Sequence, residues 1–227
     1  MILGIQICSN LEWKSVKRHL GIEPARLQRQ PFGERFQYSV NSHKGIFYQS
    51  GDSKTKAAAA CQYVIDRWQP DAIVNLGTCG GVSSKIRQFE VILANRTVHY
   101  DCDIHFGPKP KGFYRPMTTR LNLSWIDAKN VIHELHRGTI GSADRDLDHR
   151  NRKKLMEKKI MGADWESGAI SKVCKLNDIN CLILRGVSDI PKKHRFPGRD
   201  IQNIHYQKNT PKIMAILVDI LNQILFR

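Results

Sequence analysis

The sequence predicts an α/β fold with a mostly parallel or mixed sheet, because short apolar runs alternate with segments of helical period. The runs Leu3–Ser9, Ala72–Leu76 and Cys181–Val187 have the length and composition of buried strands. A chain of 227 residues is long enough for one domain with a full hydrophobic core. We therefore expect a single domain over residues 1–227.

Helix boundaries are predicted from capping and proline signals. Ser53 is a predicted N-cap, and Pro70 ends the helix that follows it. Proline is favourable at the first helical position, so Thr210 and Pro211 predict the start of the last helix. The predicted helices are Leu11–Leu20, Ser53–Trp68, Ser124–His136, Leu147–Lys159, Ser167–Leu176 and a C-terminal helix from Thr210. Further strands are predicted at Arg35–Val40, Gly45–Gln49, Glu90–Ala94, Thr97–Cys102 and Gly138–Ser142.

Hydropathy and cysteine usage argue against several classes of protein. No apolar run approaches the ~20 residues that span a bilayer. The apolar segment Met1–Cys8 lacks a basic leader, so it predicts a first strand and we expect a cytoplasmic protein. The six cysteines are scattered without C-x-x-C spacing, which indicates reduced thiols rather than a disulfide framework or a zinc site. We expect no metal and no cofactor.

The chain is strongly basic, with 36 Lys+Arg against 21 Asp+Glu and a net charge of +15. The basic residues are spread along the chain and are not interleaved with aromatics, which argues against nucleic acid as a partner. One concentration, Lys192–Arg199, begins three residues after Asp189. We expect this basic loop to lie over the active site and favour an anionic or zwitterionic substrate tail. The alternative is an ordinary solvated surface loop.

Acidic residues recur where predicted strands end. Glu12 follows the first strand, Asp144 and Asp146 follow a later one, and Asp189 follows the Cys181–Val187 strand. Any one of these carboxylates has a simple explanation as a helix cap or an arginine partner. Because ligands of α/β sheets bind at the carboxyl ends of strands, several acids converging there favour a functional site.

Five segments together resemble the nucleoside phosphorylase/nucleosidase superfamily, and most closely its 5′-methylthioadenosine/S-adenosylhomocysteine nucleosidases. The order and spacing agree over most of the chain. The two most specific segments resemble a helix start and a strand end of that family, ADWESGAI and LRGVSD. The matching segments are Pro70–Gly81, His99–Asp103, Gly141–Asp144, Ala163–Ile170 and Leu184–Asp189.

The resemblance implies a three-layer α/β/α sandwich around a distorted mixed sheet, a homodimer, and a purine nucleoside as substrate. It implies that Asp189 protonates the departing purine at N7 and that Glu12 activates the attacking water. Glu166 would hold the ribose hydroxyls, and Trp165 would pack against the sugar. The remaining substrate-binding residues implied by the resemblance are Thr78, Cys79, Gly80, Asp146, Leu147 and Ser188.

This chemistry has an independent physical basis. A purine leaves poorly as an anion, so a carboxylic acid must donate a proton as the glycosidic bond breaks. The ribose becomes oxocarbenium-like, and a nearby carboxylate stabilises that charge. Burial at the strand end would raise the pKa of Asp189 as this role requires. Arg185 is expected either to orient Asp189 or to form an ion pair at the edge of the core.

The sequence favours water over phosphate as the nucleophile. Phosphorylases of the superfamily carry a Gly-Asp-Pro loop after the first strand and an arginine where this chain has Asn75. Here the first loop ends in Glu12, whose carboxylate would repel phosphate. The alternatives are a purine nucleoside phosphorylase and a non-catalytic relative that binds nucleosides or nucleic acid. Asp146 stands where the nucleosidases have an aromatic residue, so a different base is also possible.

Overall fold

The computed structural model describes residues 1–102, 117–192 and 201–226, without the side chains of residues 201 and 202. Its strands are β1 Ile2–Ile7, β2 Gln28–Gln30, β3 Gly33–Val40, β4 His43–Gln49, β5 Ala72–Gly81, β6 Val91–His99, β7 Thr118–Arg120, β8 Ile126–Asp127, β9 Leu135–Ser142, β10 Ile160–Asp164, β11 Asn180–Asp189 and β12 Leu225–Phe226. Its α-helices are α1 Asn10–His19, α2 Lys54–Trp68, α3 His149–Glu157, α4 Ser167–Leu176 and α5 Ile201–Gln223. A 3₁₀ turn covers Pro24–Arg26.

One mixed sheet carries most of the strands, in the order β10-β9-β6-β11-β5-β1-β4-β3-β2. The central strands β11, β5, β1 and β4 run parallel to one another. At one end the sheet curls, because β10 pairs with β9 and also, antiparallel, with the end of β5. This pairing closes β5, β11, β6, β9 and β10 into a ring, which is the distortion that the resemblance implies.

Helices cover both faces of the sheet. Alternate residues of the central strands point to opposite faces, as strand geometry requires. Ile5 and Val74 belong to the core that packs on α1 and α5, whereas Ile73 and Ile183 belong to the core that packs on α2 and α4. The predicted α/β class and three-layer sandwich are therefore confirmed.

Three sequence predictions are wrong: one predicted helix is absent, two predicted strands form one, and the last helix begins earlier than predicted. The segment Ser124–His136 is not a helix but contains β8 and the start of β9. Its apolar residues do not share a helical face, since Trp125 is buried while Ile132 is 87% exposed. The strands predicted at Glu90–Ala94 and Thr97–Cys102 form the single strand β6, which bends at a bulge after Ala94.

The last helix begins at Ile201 rather than Thr210, and Pro211 lies inside it. Proline has no N–H, so it removes one helical hydrogen bond at this point. The Thr210 hydroxyl donates to the Tyr206 carbonyl (2.6 Å), and the following turns are held by Ile213 and Met214 in the core. The basic segment predicted as a loop, Lys192–Arg199, lies outside the described residues apart from Lys192.

Within the described ranges, no helix is long and apolar enough to cross a membrane.

The hairpin of β3 and β4 depends on a glycine at position 45. A Cβ atom there would lie 2.4 Å from the backbone oxygen of Tyr38. We predict that Gly45→Ala lowers the free energy of unfolding by about 1–3 kcal/mol, because backbone rather than a flexible side chain must move. Chemical denaturation measures the change. The matched control is Ser39→Ala on the exposed face of the same hairpin, expected to stay within ~0.5 kcal/mol. Equal stability of the two variants would contradict the prediction.

Candidate active site

A cavity of about 580 Å³ opens at the carboxyl ends of β1, β5, β10 and β11. Its volume suits a ligand the size of a nucleoside. The structure brings together every site residue named from the sequence. Those lining residues are Glu12, Thr78, Cys79, Gly80, Asp146, Leu147, Trp165, Glu166, Ser188 and Asp189.

Glu12 is fixed at the first turn of α1 by a capping box. The Ser9 hydroxyl accepts from the Glu12 amide (3.2 Å), and the Glu12 carboxylate accepts from the Ser9 amide (3.1 Å). Its other oxygen accepts from the amide and hydroxyl of Thr78, at 2.6 and 2.8 Å. These bonds hold a carboxylate that is only 4% exposed in one orientation at the cavity wall.

A buried ion pair lies beneath the cavity. Arg185 is fully buried, and its Nε lies 2.6 Å from the Asp164 carboxylate. Asp164 also accepts from the backbone amides of Glu166 and Ser167 (both 3.2 Å) and from the Ser142 hydroxyl (2.6 Å). The Ser167 hydroxyl bonds to Asp164 as well. The ion pair thus fixes the turn that presents Glu166 to the cavity.

Small and polar residues of β5 make room for the guanidinium. A Cβ atom at Gly77 would lie 1.7 Å from Nη1 of Arg185, so this position must be glycine. Asn75 accepts from Nη2 of Arg185 (2.6 Å) and donates to the backbone oxygen of Gln6 (3.0 Å). Of the two roles expected for Arg185, the structure shows the ion pair, with Asp164 and with Glu166 at 3.9 Å.

Glu166 has far fewer partners than Glu12. One oxygen accepts a long hydrogen bond from the Ser53 amide (3.4 Å), and the other lies 3.9 Å from Arg185. Burial, with the negative charges of Asp164 and Glu12 nearby, raises the pKa of Glu166 to about 8. Glu166 is therefore a buried carboxyl group with few protein partners, and its remaining hydrogen-bonding capacity is available to a ligand.

Asp189 lies at the end of β11, beside Gly80 of β5. The Ser188 hydroxyl donates to the Asp189 carboxylate (2.7 Å), and the Ser188 carbonyl is held by the Asn209 amide (2.7 Å). A Cβ atom at Gly80 would approach Leu147 to 2.9 Å and Asp189 to 3.7 Å. Glycine at this position keeps open the space between the Leu147 side chain and the Asp189 carboxylate.

Aromatic residues supply the other walls. Trp165 follows β10 and is 37% exposed, so its ring offers apolar surface that a ligand would cover. Tyr100 also lines the cavity, and burial raises its pKa to about 12. The Arg145 guanidinium lies 5.3 Å from the centre of the Tyr100 ring, an ordinary cation–π distance.

Sequence reasoning missed several lining residues, among them Asp52, Tyr100 and Tyr206. Tyr206 has no local signal, because it reaches the site by donating to the Ser9 hydroxyl (2.7 Å) from a distance of 197 residues along the chain. The capping box could have been predicted from the sequence, because Ser-x-x-Glu after a strand is its usual pattern and Ser9 and Glu12 have this spacing.

The cavity wall is acidic although the chain is basic. Among the described residues that line it, Arg145 is the one Lys, Arg or His. The lining carboxylates are those of Glu12, Asp52, Asp146, Asp164, Glu166 and Asp189. Despite these acids, the described residues contain no group of three or more His, Cys, Asp or Glu placed to hold a metal ion.

A family model described as the phosphorylase superfamily matches residues 17–222. The chain belongs to the phosphorylase superfamily. Among its relatives in this superfamily are 5′-methylthioadenosine/S-adenosylhomocysteine nucleosidases of Geobacillus sp. and Tolumonas auensis. Each is 27% identical to this chain; the matches cover 68% and 69% of this chain and 71% and 73% of the relatives.

Solved structures of the superfamily show the same fold. The nucleosidase from Neisseria meningitidis, in complex with methylthio-immucillin-A, superposes with a TM-score of 0.79 at 18% identity, covering 98% of both chains. The Streptococcus pneumoniae nucleosidase, with a transition-state inhibitor, has a TM-score of 0.78 at 18% identity, covering 98% of this chain and 99% of the other. The resemblance inferred from the sequence motifs is thereby confirmed.

The pKa of Glu166 has a consequence for stability. Because it is raised from 4.5 to about 8, the folded chain binds more protons than the unfolded chain between these values, and the free energy of unfolding falls as the pH rises through them. We predict that Glu166→Gln removes this contribution, which is at most about 1.4 kcal/mol per pH unit. Denaturation at pH 5, 6, 7 and 8 measures the slope. Glu157→Gln, at an exposed site, is the control and should keep the wild-type slope. A wild-type slope in Glu166→Gln would contradict the raised pKa of Glu166.

Proposed function

We propose that this protein hydrolyses the N-glycosidic bond of a purine nucleoside and releases the free base. The observation that carries the proposal is the convergence of Glu12, Glu166 and Asp189 on one cavity of nucleoside size. The names of the curated relatives, 5′-methylthioadenosine/S-adenosylhomocysteine nucleosidases, support the same reaction. A non-catalytic nucleoside- or nucleic-acid-binding protein would have no need of these three acids at the ends of different elements.

Asp189, Glu12 and Glu166 lie at different places along the cavity, so each can act on a different part of the substrate. Gly80, beside Asp189, lies two residues beyond Thr78, which bonds Glu12. Two residues of an extended strand span about 7 Å, close to the length from purine N7 to the far side of the ribose. Asp189 then protonates the purine at N7 while the electrons of the C1′–N9 bond pass to the base. Glu166 accepts hydrogen bonds from the ribose hydroxyls.

Water is the nucleophile that the cavity favours. Phosphate binds where cationic or amide donors are fixed, and carboxylates repel it. Asn75, at the position of the phosphorylase arginine, is fully buried and bonded to Arg185, and Arg185 is paired with Asp164. Glu12 instead orients and deprotonates a water molecule that attacks C1′, which yields the free sugar and the free base. Among the described lining residues, Arg145 is the one Lys, Arg or His, and its guanidinium lies over the Tyr100 ring.

Four further features are proposed: the number of domains, the oligomeric state, the cellular location and the absence of a cofactor. We propose that the chain forms a single domain, consistent with its one continuous main sheet. We also propose that the protein is a homodimer and that it works in the cytoplasm without a cofactor. Light scattering on the purified protein gives the oligomeric state, and cell fractionation gives the location.

The reaction is tested by base release with and without phosphate. We predict that the protein frees a purine base from a panel of nucleosides, and that the rate does not change when phosphate replaces a non-nucleophilic buffer of equal ionic strength. Chromatography identifies the sugar product as free ribose or ribose 1-phosphate, which separates hydrolysis from phosphorolysis. Strict dependence on phosphate would replace the hydrolase proposal with the phosphorylase alternative.

The three acids should differ in their kinetic effects. We predict that Asp189→Asn lowers kcat by about 10²–10⁴-fold, the usual size of general acid catalysis. Glu12→Gln should lower kcat with little change in KM, because glutamine is also accepted in a capping box and activation of water matters only during reaction. Glu166→Gln should raise KM and lower kcat. Identical kinetic profiles for Glu12→Gln and Glu166→Gln would show that these roles are wrongly assigned.

A further inference from the structure

The cavity extends across several strands, with Asp189 at one end and Ser9 at the other. Asp189 ends β11, whereas Ser9 follows β1 and Asp52 lies shortly after β4. The order β11-β5-β1-β4 puts β1 two strands from β11. Neighbouring strands are ~4.8 Å apart, so Ser9 lies about 10 Å across the sheet from Asp189. Between them runs β5, whose Thr78 amide donates to Glu12.

A bound nucleoside has a defined direction in such a cavity. The base and the 5′ carbon are attached to C1′ and C4′, on opposite sides of the ring oxygen, while the 2′ and 3′ hydroxyls lie on the other edge of the sugar. With the purine at Asp189 and the hydroxyls at Glu166, the 5′ substituent points toward Ser9 and Asp52. The end of the cavity around Ser9, Asp52 and Tyr206 is called the 5′ end below.

The 5′ end is polar. The described residues that line it include Ser9, Asp52 and Tyr206, with Leu11 as the apolar exception. The Ser9 oxygen accepts from the Tyr206 hydroxyl at 2.7 Å and from the Glu12 amide at 3.2 Å. A serine hydroxyl has two lone pairs and one hydrogen, so both acceptor positions of Ser9 are used and its hydrogen remains to be donated.

Acceptors stand beside this donor. The Tyr206 oxygen donates its own hydrogen to Ser9 and keeps lone pairs that accept. Burial, together with the charge of Glu12, holds the pKa of Tyr206 well above its ordinary value, so the hydroxyl stays protonated. The Asp52 carboxylate adds two further acceptor oxygens on an exposed residue. A substituent that both donates and accepts, such as a hydroxyl group, matches this arrangement.

We propose that Ser9 and Tyr206 select purine nucleosides with a free 5′-hydroxyl over nucleosides with an apolar 5′ thioalkyl group. This inference rests on the proposed hydrolysis and names the substrate class of that same site. The hydroxyl accepts from Ser9 and donates to Tyr206 or Asp52. A thioether offers no hydrogen and only a weak acceptor, so it leaves the polar groups unpaired.

The test compares nucleosides that differ only at the 5′ position. We expect kcat/KM for base release to be at least about tenfold higher for adenosine than for 5′-deoxyadenosine or 5′-methylthioadenosine, because a site built for a hydroxyl rejects analogues that lack it. Inosine and 5′-deoxyinosine repeat the comparison on a second base. Equal values, or a preference for 5′-methylthioadenosine, would overturn the inference.

Variants assign the preference to its residues. In Tyr206→Phe and Ser9→Ala we expect the ratio of adenosine to 5′-deoxyadenosine to fall toward one. Ser9 also supports Glu12, so Ser9→Ala lowers both rates, and the ratio separates selectivity from that general loss. Tyr38→Phe removes a tyrosine hydroxyl on β3, at the opposite end of the strands, and should keep the wild-type ratio. An unchanged ratio in Tyr206→Phe would overturn the role of this residue.

Failure of the proposed function has a different signature. If the wild-type protein releases no base from any of these nucleosides, the hydrolysis is wrong. The inference is then tested by binding. Calorimetry measures the dissociation constants of adenosine and 5′-deoxyadenosine for the wild type and the same variants, and we expect tighter binding of adenosine in the wild type alone. Binding that is indifferent to the 5′ hydroxyl, or no binding at all, would overturn it.

Discussion

The site depends on the buried ion pair between Arg185 and Asp164. Their side chains are 1% and 2% exposed, and a charge in such a position is costly unless it is paired and hydrogen-bonded. That requirement fixes the neighbours: Gly77 leaves room for the guanidinium, while Asn75 and Ser142 supply hydrogen bonds. Because Asp164 also holds the backbone of the turn after β10, the same pair determines where Glu166 points. Removal of either charge would leave the other buried alone.

The surface and the cavity of this protein differ in charge: the chain as a whole is basic, whereas the cavity wall is acidic. The net charge of +15 belongs to a surface whose field is screened over ~8 Å at physiological ionic strength. The cavity wall is acidic and partly buried, so the interactions within it are much less screened. The electrostatic environment inside the cavity therefore follows from the few carboxylates that line it and not from the net charge of the whole chain.

Much of the fold could be predicted because the central strands contain short runs of apolar residues. β1, β5 and β11 are buried on both faces, which favours such runs, and α2 carries a regular apolar stripe. The Ser124–His136 segment was mispredicted because Ile132 supplied an apolar position that in fact faces solvent. β10 was not predicted, since its sequence Ile160–Asp164 contains glycine and alanine and few β-branched residues. Pro211 was wrongly predicted to mark the start of the last helix. Core contacts of the residues that follow it hold the helix together across this proline.

The acids of the site could be predicted from the sequence because strand ends and the family motifs mark them locally. Tyr206 and Asp52 could not, since only the folded sheet brings α5 and the loop after β4 to the same cavity. Whether a residue such as Tyr206 lines the cavity depends on packing between distant segments, which no local sequence pattern indicates.

The capping box at α1 gives Glu12 a structural role beside the catalytic role proposed for it. Catalytic groups are commonly held at some expense of stability, because they are kept in environments that suit the reaction rather than the fold. Here the carboxylate that faces the cavity also supports the first turn of a helix and the backbone of β5. The role proposed for Glu12 and its role in the fold therefore constrain this position in the same direction. Substitution at Glu12 therefore removes a helix cap and a hydrogen-bond acceptor of β5 together with the proposed catalytic group.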